Sequence, residues 1–134
     1  MIRARLLLLA AAAGLSGCAM LPQPSPYLSG QWGGPHISLL LEGGLGTIEY
    51  DCASGTIDSA VSPTKDGRFT ATGTHRPGQG GPIRVGQIFT SVRATYAGTV
   101  EKTKMTLSGK LEDGTVLGPF TLTQGEEGQL TRCL

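Results

Sequence analysis

The sequence from Gly30 onward predicts an all-β domain, a small antiparallel up-and-down barrel of about eight strands. Apolar residues alternate with polar ones along most of this stretch, which is typical of strands with one solvent-facing side. Turns that contain glycine interrupt the alternation at intervals of roughly 10 residues, the spacing of an all-β meander. No segment repeats apolar residues at helical spacing over three turns, so no substantial helix is expected.

The alternation divides the domain into predicted strands, each joined to the next by a short turn. These strands span residues 37–41, 48–52, 56–58, 69–75, 94–100, 105–111, 116–123 and 129–134. Ser54-Gly55 is expected to end the second strand, and two Asp-Gly turns, at 65–68 and 112–115, are typical of hairpins. The glycine-rich stretch 76–90 is expected to form a loop over one end. Such a meander buries its apolar face and removes its exposed edges by closing on itself.

The inward-facing positions are expected to fill such a narrow barrel almost completely. The alternation assigns mostly medium and large side chains to them: Ile37, Leu39, Leu41, Ile48, Tyr50, Phe69, Tyr96, Met105, Leu107, Leu111, Phe120, Leu122 and Leu130. Gly73, Gly98 and Gly109 are expected in the interior as well, where they leave room for sharply coiled strands. A deep ligand pocket is therefore not favoured.

Residues 1–17 have the features of a secretory signal. Two arginines precede an apolar run from Leu6 to Leu15, which is too short to span a bilayer, and small residues follow the run. The end of this segment, Leu15-Ser16-Gly17-Cys18, resembles the lipobox of bacterial lipoproteins. The resemblance implies cleavage before Cys18 and lipidation of that cysteine, so that a lipid anchor attaches the chain to a membrane.

Residues 18–29 are expected to form a tether between lipidated Cys18 and the barrel domain, residues 30–134. Three prolines at alternate positions favour an extended segment with too few apolar residues to pack. Ala19 differs from the aspartate that retains enterobacterial lipoproteins in the inner membrane. The expected location is therefore the outer membrane, with the domain facing the periplasm.

The charge of the mature chain argues against nucleic acid as a partner. Loss of Arg3 and Arg5 with the signal lowers the number of basic residues from 11 to 9, against 10 acidic residues, which gives a net charge of −1. Binding to nucleic acid requires clustered lysine and arginine side chains that neutralise phosphates.

Cys52 and Cys133 are expected to form a disulfide. With Cys18 lipidated, they are an even pair in an exported protein, where thiols are oxidised, and they lack the spacing of a redox motif. A reactive thiol and a metal ligand are the alternatives. Cys52 shares its alternation phase with Ile48 and Tyr50, whereas Cys133 has the phase opposite to that of Leu130. The bridge therefore requires twist or a bulge near the end of the chain.

The segment Leu28-Ser29-Gly30-Gln31-Trp32 resembles the Gly-x-Trp opening of the lipocalin-like (calycin) barrels, which include avidins and periplasmic inhibitors of bacterial metalloproteases. In those families the tryptophan of the first strand plugs one end of the barrel, and a basic residue near the chain end packs across its ring. The resemblance implies that Trp32 is the plug, that Gly30 admits the chain to the strand, and that Arg132 stacks on the ring.

The mature chain also resembles a set of uncharacterised bacterial exported proteins with a small β-domain. The shared segments are Trp32–His36, Glu49–Ala53, Gly55–Asp58, Gly80–Pro82, Gly118–Leu122 and Arg132–Leu134. The resemblance implies a common fold and supplies no mechanism.

The sequence contains no motif for a catalytic centre or a cofactor, and no cofactor is expected. His36 and His75 are weak candidate metal ligands, with Asp51 or Asp58 at one mouth of the barrel, since no pair of them has the spacing of a metal motif. The two aspartates are expected on polar strand faces, where solvation leaves their pKa values ordinary and unsuited to acid–base catalysis.

These observations favour a non-catalytic binding module that acts through the loops of the barrel. Its partner would be a hydrolase that it inhibits or a component of an envelope assembly, because loops on a rigid scaffold are common binding sites. In the periplasmic inhibitors a free N-terminal strand enters the protease, whereas here Cys18 anchors the corresponding segment. A carrier of a small apolar molecule is the alternative, and an enzyme ranks behind both.

Overall fold

Eight antiparallel strands form a closed barrel in which each strand pairs with the next in the chain and the last pairs with the first. The computed structural model describes residues 25–78, 85–86, 90–131 and 133, together with Gly14 and Gly17. The strands are β1 (Gly30–Gly34), β2 (Ile37–Glu42), β3 (Leu45–Tyr50), β4 (Ala53–Ile57), β5 (Arg68–Pro77), β6 (Val92–Glu101), β7 (Lys104–Leu111) and β8 (Val116–Gln124). The predicted up-and-down barrel is confirmed, and its small size is consistent with a calycin-like barrel. Within the described residues, no helix has the length and apolar character needed to cross a bilayer.

The strand that closes the barrel was predicted at the wrong end of the chain. Residues 129–134 were expected to be the eighth strand, but in the described part of that segment Gln129 makes only one isolated bridge, to Pro35. The closing strand is β1, which pairs with β8 through Trp32 and Gly33. Leu130, which was expected to point inward, is 36% exposed because it belongs to no strand.

The turn after the third strand also lies elsewhere than predicted. Ser54-Gly55 was expected to end a strand. Both residues instead belong to β4, and the turn is formed by Asp51-Cys52. Gly55 is needed there for space, since a Cβ atom at this position would lie 2.8 Å from the hydroxyl oxygen of Tyr96. A Cβ atom on Gly109 would lie 3.2 Å from the same ring. The two glycines therefore make room for one large interior side chain.

Side chains occupy the interior of the barrel. The expected core is largely confirmed, because Ile37, Leu39, Leu41, Ile48, Phe69, Tyr96, Met105, Leu107 and Leu122 are all buried in one cluster. Tyr50, Leu111 and Phe120 are half-buried and pack against it, and Trp32, Ile57 and Val61 complete it. The surface grooves of the described residues lie at the rims and on the outer wall.

The chain enters the barrel at one end, which we call the tether end. The backbone N–H of Leu28 donates to the carbonyl of Val61, Gly44 donates to Leu28, and Val61 donates to Gly44, each at 2.9 Å. Val61 closes this end as a buried plug. The end with the Pro35-His36 and Asp51-Cys52 turns is called the disulfide end.

Trp32 is buried beneath the tether end. Its side chain is 1% exposed, and its indole N–H donates to the carbonyl of Ser29 at 3.3 Å. Gly30 opens β1 with a φ of 104°, in the region that favours glycine. Arg132 lies outside the described residues, so its stacking on Trp32 stays a prediction.

Candidate functional site

The segment after β8 crosses the outer wall of the barrel from the tether end to the disulfide end. We call its described residues, Gly125–Thr131 and Cys133, the C-terminal strap. The N–H of Gly125 donates to the carbonyl of Gln31 at 2.7 Å. Gln129 donates to Gly34 at 3.0 Å and accepts from the N–H of His36 at 2.9 Å. The strap is therefore fixed to β1 at its beginning and to the β1–β2 turn at its middle.

Small residues on β1 and β2 form the shallow trough in which the strap lies. Gly33 and Ser38 pair across the two strands. A Cβ atom on Gly33 would collide with the backbone of Glu126 and Glu127, and one on Gly128 would lie 2.6 Å from the Cβ atom of Ser38. Glycine at 33 and 128 thus allows the strap to contact the sheet through backbone alone.

The strap ends in a cluster at the rim, formed by His36, Asp51, Cys52, Thr131 and Cys133. One carboxylate oxygen of Asp51 accepts from the backbone N–H of Thr131 at 2.6 Å, and the other contacts Nδ1 of His36. Cys52 and Cys133 are joined in a disulfide with their Cα atoms 5.2 Å apart, inside the usual range. This disulfide-end cluster is the candidate functional site.

The geometry of the bridge differs from the expectation based on alternation. Cys52 lies in a turn with a φ of 63°, and the strap that carries Cys133 is not a strand. The alternation of a strand therefore does not determine the direction of either side chain. No bulge in a terminal strand is needed to bring them together. His36 also has a left-handed φ, 67°, which a non-glycine residue adopts only at a cost. Two such residues in one cluster show that the tertiary contacts dictate these turns.

The electrostatics of the cluster depend on Asp51. The N–H of Thr131 and then the His36 ring stabilise its charged form, and together they hold the pKa of the carboxyl below its ordinary value. The expectation of an ordinary pKa for Asp51 was wrong, because the residue lies in the turn and not on a solvated strand face. A carboxyl of this kind stays ionised at neutral pH and serves as an acceptor for the strap.

Replacement of Asp51 with asparagine is expected to loosen the strap at neutral pH. The pKa is lower in the folded protein than in the unfolded chain, so the tie stabilises the fold above the unfolded pKa of about 3.9 and weakens as pH falls through the folded pKa. Hydrogen exchange of the Thr131 amide should be faster in D51N than in the wild type at pH 7, and the difference should vanish in acid. Asp113→Asn, which removes a carboxylate with only a local partner at Thr115, is the control. Equal exchange at Thr131 in D51N and the wild type at pH 7 would contradict this role.

A second group of polar side chains lies inside the barrel near the same end. Tyr96 donates its hydroxyl to the carbonyl of Thr74 at 2.7 Å. The Tyr50 ring lies 5.5 Å from the ring of His75 and 5.4 Å from that of Phe120. Burial raises the pKa of both tyrosines, so both phenols stay protonated at neutral pH.

His75 is the buried polar residue of this interior group. It is 7% exposed, and its Nδ1 has no hydrogen-bond partner among the described residues. Burial lowers the pKa of the imidazole, which favours the neutral ring. The side chain therefore contributes chiefly through packing against Tyr50.

The structure separates the candidate metal ligands. It brings His36 and Asp51 together at the rim, while His75 points into the interior and Asp58 lines a groove on the outer wall with Arg93. Among the described residues, no three His, Cys, Asp or Glu side chains are grouped so as to hold a metal ion. Cys18, the expected lipidation site, lies outside the described residues. No protein family, curated protein or solved structure matches this chain.

Proposed function

We propose that this protein is a lipoprotein anchored in the outer membrane through Cys18, with a periplasmic barrel that serves as a non-catalytic binding module. The observation that carries the proposal is the segment Leu15-Ser16-Gly17-Cys18 at the end of a short apolar run. A disulfide between the two other cysteines supports it, because such bonds persist in oxidising compartments.

The packing of the barrel supports binding through its outer surfaces and loops in preference to an interior ligand. The core cluster runs from Trp32 and Val61 at the tether end to Leu107 and Tyr96, and its members are almost fully buried. A carrier of an apolar molecule needs a cavity lined by such side chains, and here they contact one another. The partner we propose is a hydrolase or a component of an envelope assembly.

Replacement of Cys18 with serine is expected to abolish the anchor. Serine has no thiol for the acyl donor, so the precursor should escape cleavage before residue 18 and should no longer partition into the detergent phase. Stable anchoring needs more than one acyl chain. Because lipidation requires Cys18, C18S should lack the anchor, and the loss of partitioning should be nearly complete. Radiolabelled fatty acid incorporation and detergent-phase partitioning of wild type and C18S measure this. Serine substitution of Ala19, the residue that follows Cys18, is the matched control, and unchanged partitioning of C18S would contradict the proposal.

A further inference from the structure

We infer that the tether end of the barrel lies against the phospholipid surface of the membrane that holds the anchor, with Tyr27, Lys65 and Lys102 in contact with headgroups. The inference rests on the proposed lipid anchor at Cys18. It concerns an interaction surface distinct from the disulfide-end cluster, which this orientation turns away from the membrane and toward periplasmic partners.

The tether is short and leaves from one defined point. About nine residues separate Cys18 from Tyr27, and even a fully extended polyproline-like segment of that length reaches only roughly 28 Å. The hydrogen bonds of Leu28 to Val61 and Gly44 fix where the tether joins the barrel. A barrel held this close to a surface meets it at high effective concentration, so contacts that are weak alone become populated.

An exposed apolar pair flanks the junction of tether and barrel. Tyr27 and Leu45 are each 46% exposed, and they are the chain neighbours of Leu28 and Gly44, which are hydrogen-bonded at 2.9 Å. A tyrosine has an apolar ring and a polar hydroxyl, which suits it to the interface between headgroups and water. This pair lies where the tether brings the barrel closest to the lipid.

Two basic turns lie on the β5–β7 side of the same end. The turn before β5 and the turn between β6 and β7 are adjacent, since the N–H of Val100 donates to the carbonyl of Gly67 at 2.8 Å. These turns and the strand ends that adjoin them contain four basic residues, Lys65, Arg68, Lys102 and Lys104. They contain two acidic residues, Asp66 and Glu101, so their net charge is +2. Lys102 adopts a left-handed φ of 54°, so a turn position that favours glycine carries an exposed lysine.

Three acidic residues of the tether end lie on the opposite side. Glu42 ends β2, and Glu126 and Glu127 follow β8 at the start of the strap. This division of charge predicts that the β5–β7 side of the tether end faces the anionic headgroups. Each lysine close to an anionic membrane strengthens the association by about fivefold.

The test uses the mature chain, residues 18–134, which contains every strand of the barrel. Because Cys52 and Cys133 are paired, Cys18 is the cysteine available for coupling to a maleimide phospholipid. The coupled chain is placed in vesicles of phosphatidylcholine with phosphatidylglycerol, and the acylation rate of each lysine by a water-soluble reagent is measured by mass spectrometry. Lys110, exposed at the disulfide end of β7, is the internal control.

Acylation of Lys65 and Lys102 should be slowed at least about fivefold relative to the same chain in detergent, while that of Lys110 is unchanged. Nitration of Tyr27 should be slowed in the wild type and in K110Q, and this protection should be lost when Lys65→Gln and Lys102→Gln are combined. No slowing at Lys65 and Lys102, equal slowing at all three lysines, or slowing of Lys110 alone would overturn the inference. Because the coupling replaces the native acyl chains, a failure of lipidation in cells would overturn the proposed function without affecting this result.

Discussion

Replacement of Trp32 with alanine is expected to lower the free energy of unfolding by about 3–5 kcal/mol. The indole is 1% exposed and lies under the tether end, so its removal leaves a cavity between β1 and the core that the closed sheet cannot collapse to fill. Urea unfolding monitored by circular dichroism measures the loss, since the variant has no tryptophan to report it.

The control for Trp32 is an apolar residue of the outer wall. Leu40 lies opposite Gln31 in the same strand pair and is 47% exposed, so L40A should change the free energy of unfolding by no more than about 0.5 kcal/mol. Equal losses for W32A and L40A would contradict the packing of Trp32 in the core. If Arg132 stacks on the ring, as the calycin resemblance implies, the losses in W32F and R132M should couple in the double variant.

Removal of the disulfide is expected to have an effect of similar size. Cys52 and Cys133 are separated by 81 residues, so the bridge closes a loop that contains β4 to β8 and the strap. The entropy that this loop removes from the unfolded chain corresponds to about 4 kcal/mol. Serine at both positions should lower the urea midpoint accordingly, without loss of the strand signal in circular dichroism.

The doubly substituted variant has a further readout in the strap. The amides of Gln129 and Thr131 should exchange faster, because only hydrogen bonds then hold the strap at the disulfide end. Treatment of the wild type with a reductant should reproduce both effects, and reductant should change nothing in the variant. An unchanged urea midpoint in the variant would contradict the stabilising role of the bridge.

The alternation of the sequence was sufficient to predict most of the barrel wall. Ile37, Leu39 and Leu41 point inward, and so do Met105 and Leu107, because strand geometry sends every second side chain to the same face. The strand Gly30–Gly34 was missed as the closing strand because three of its five residues are glycines, which carry no apolar or polar signal. Its role depends on pairing with β8, a long-range contact that no local pattern records.

The C-terminal strap was predicted to be a strand, and it is not one. Leu130 and Arg132 alternate as strand residues do, but alternation predicts which face a side chain takes only if the backbone has a partner. Gly33 and Gly128 bring the strap onto the outside of the sheet, where its residues make isolated hydrogen bonds. The pairing of Cys52 with Cys133 could be predicted from the number of cysteines and the expected export of the chain. The contacts of Asp51 could not, because they depend on the left-handed turn at Cys52.

We propose that this protein is a barrel anchored to a membrane and that its interior holds its own side chains and no ligand. Native mass spectrometry of the protein extracted from cell membranes in mild detergent tests it most directly. We expect a chain that begins at Cys18, carries acyl chains, lacks two hydrogens because of the disulfide, and has no additional bound molecule. An unacylated chain that begins at another residue, or a stoichiometric apolar ligand released on unfolding, would contradict it.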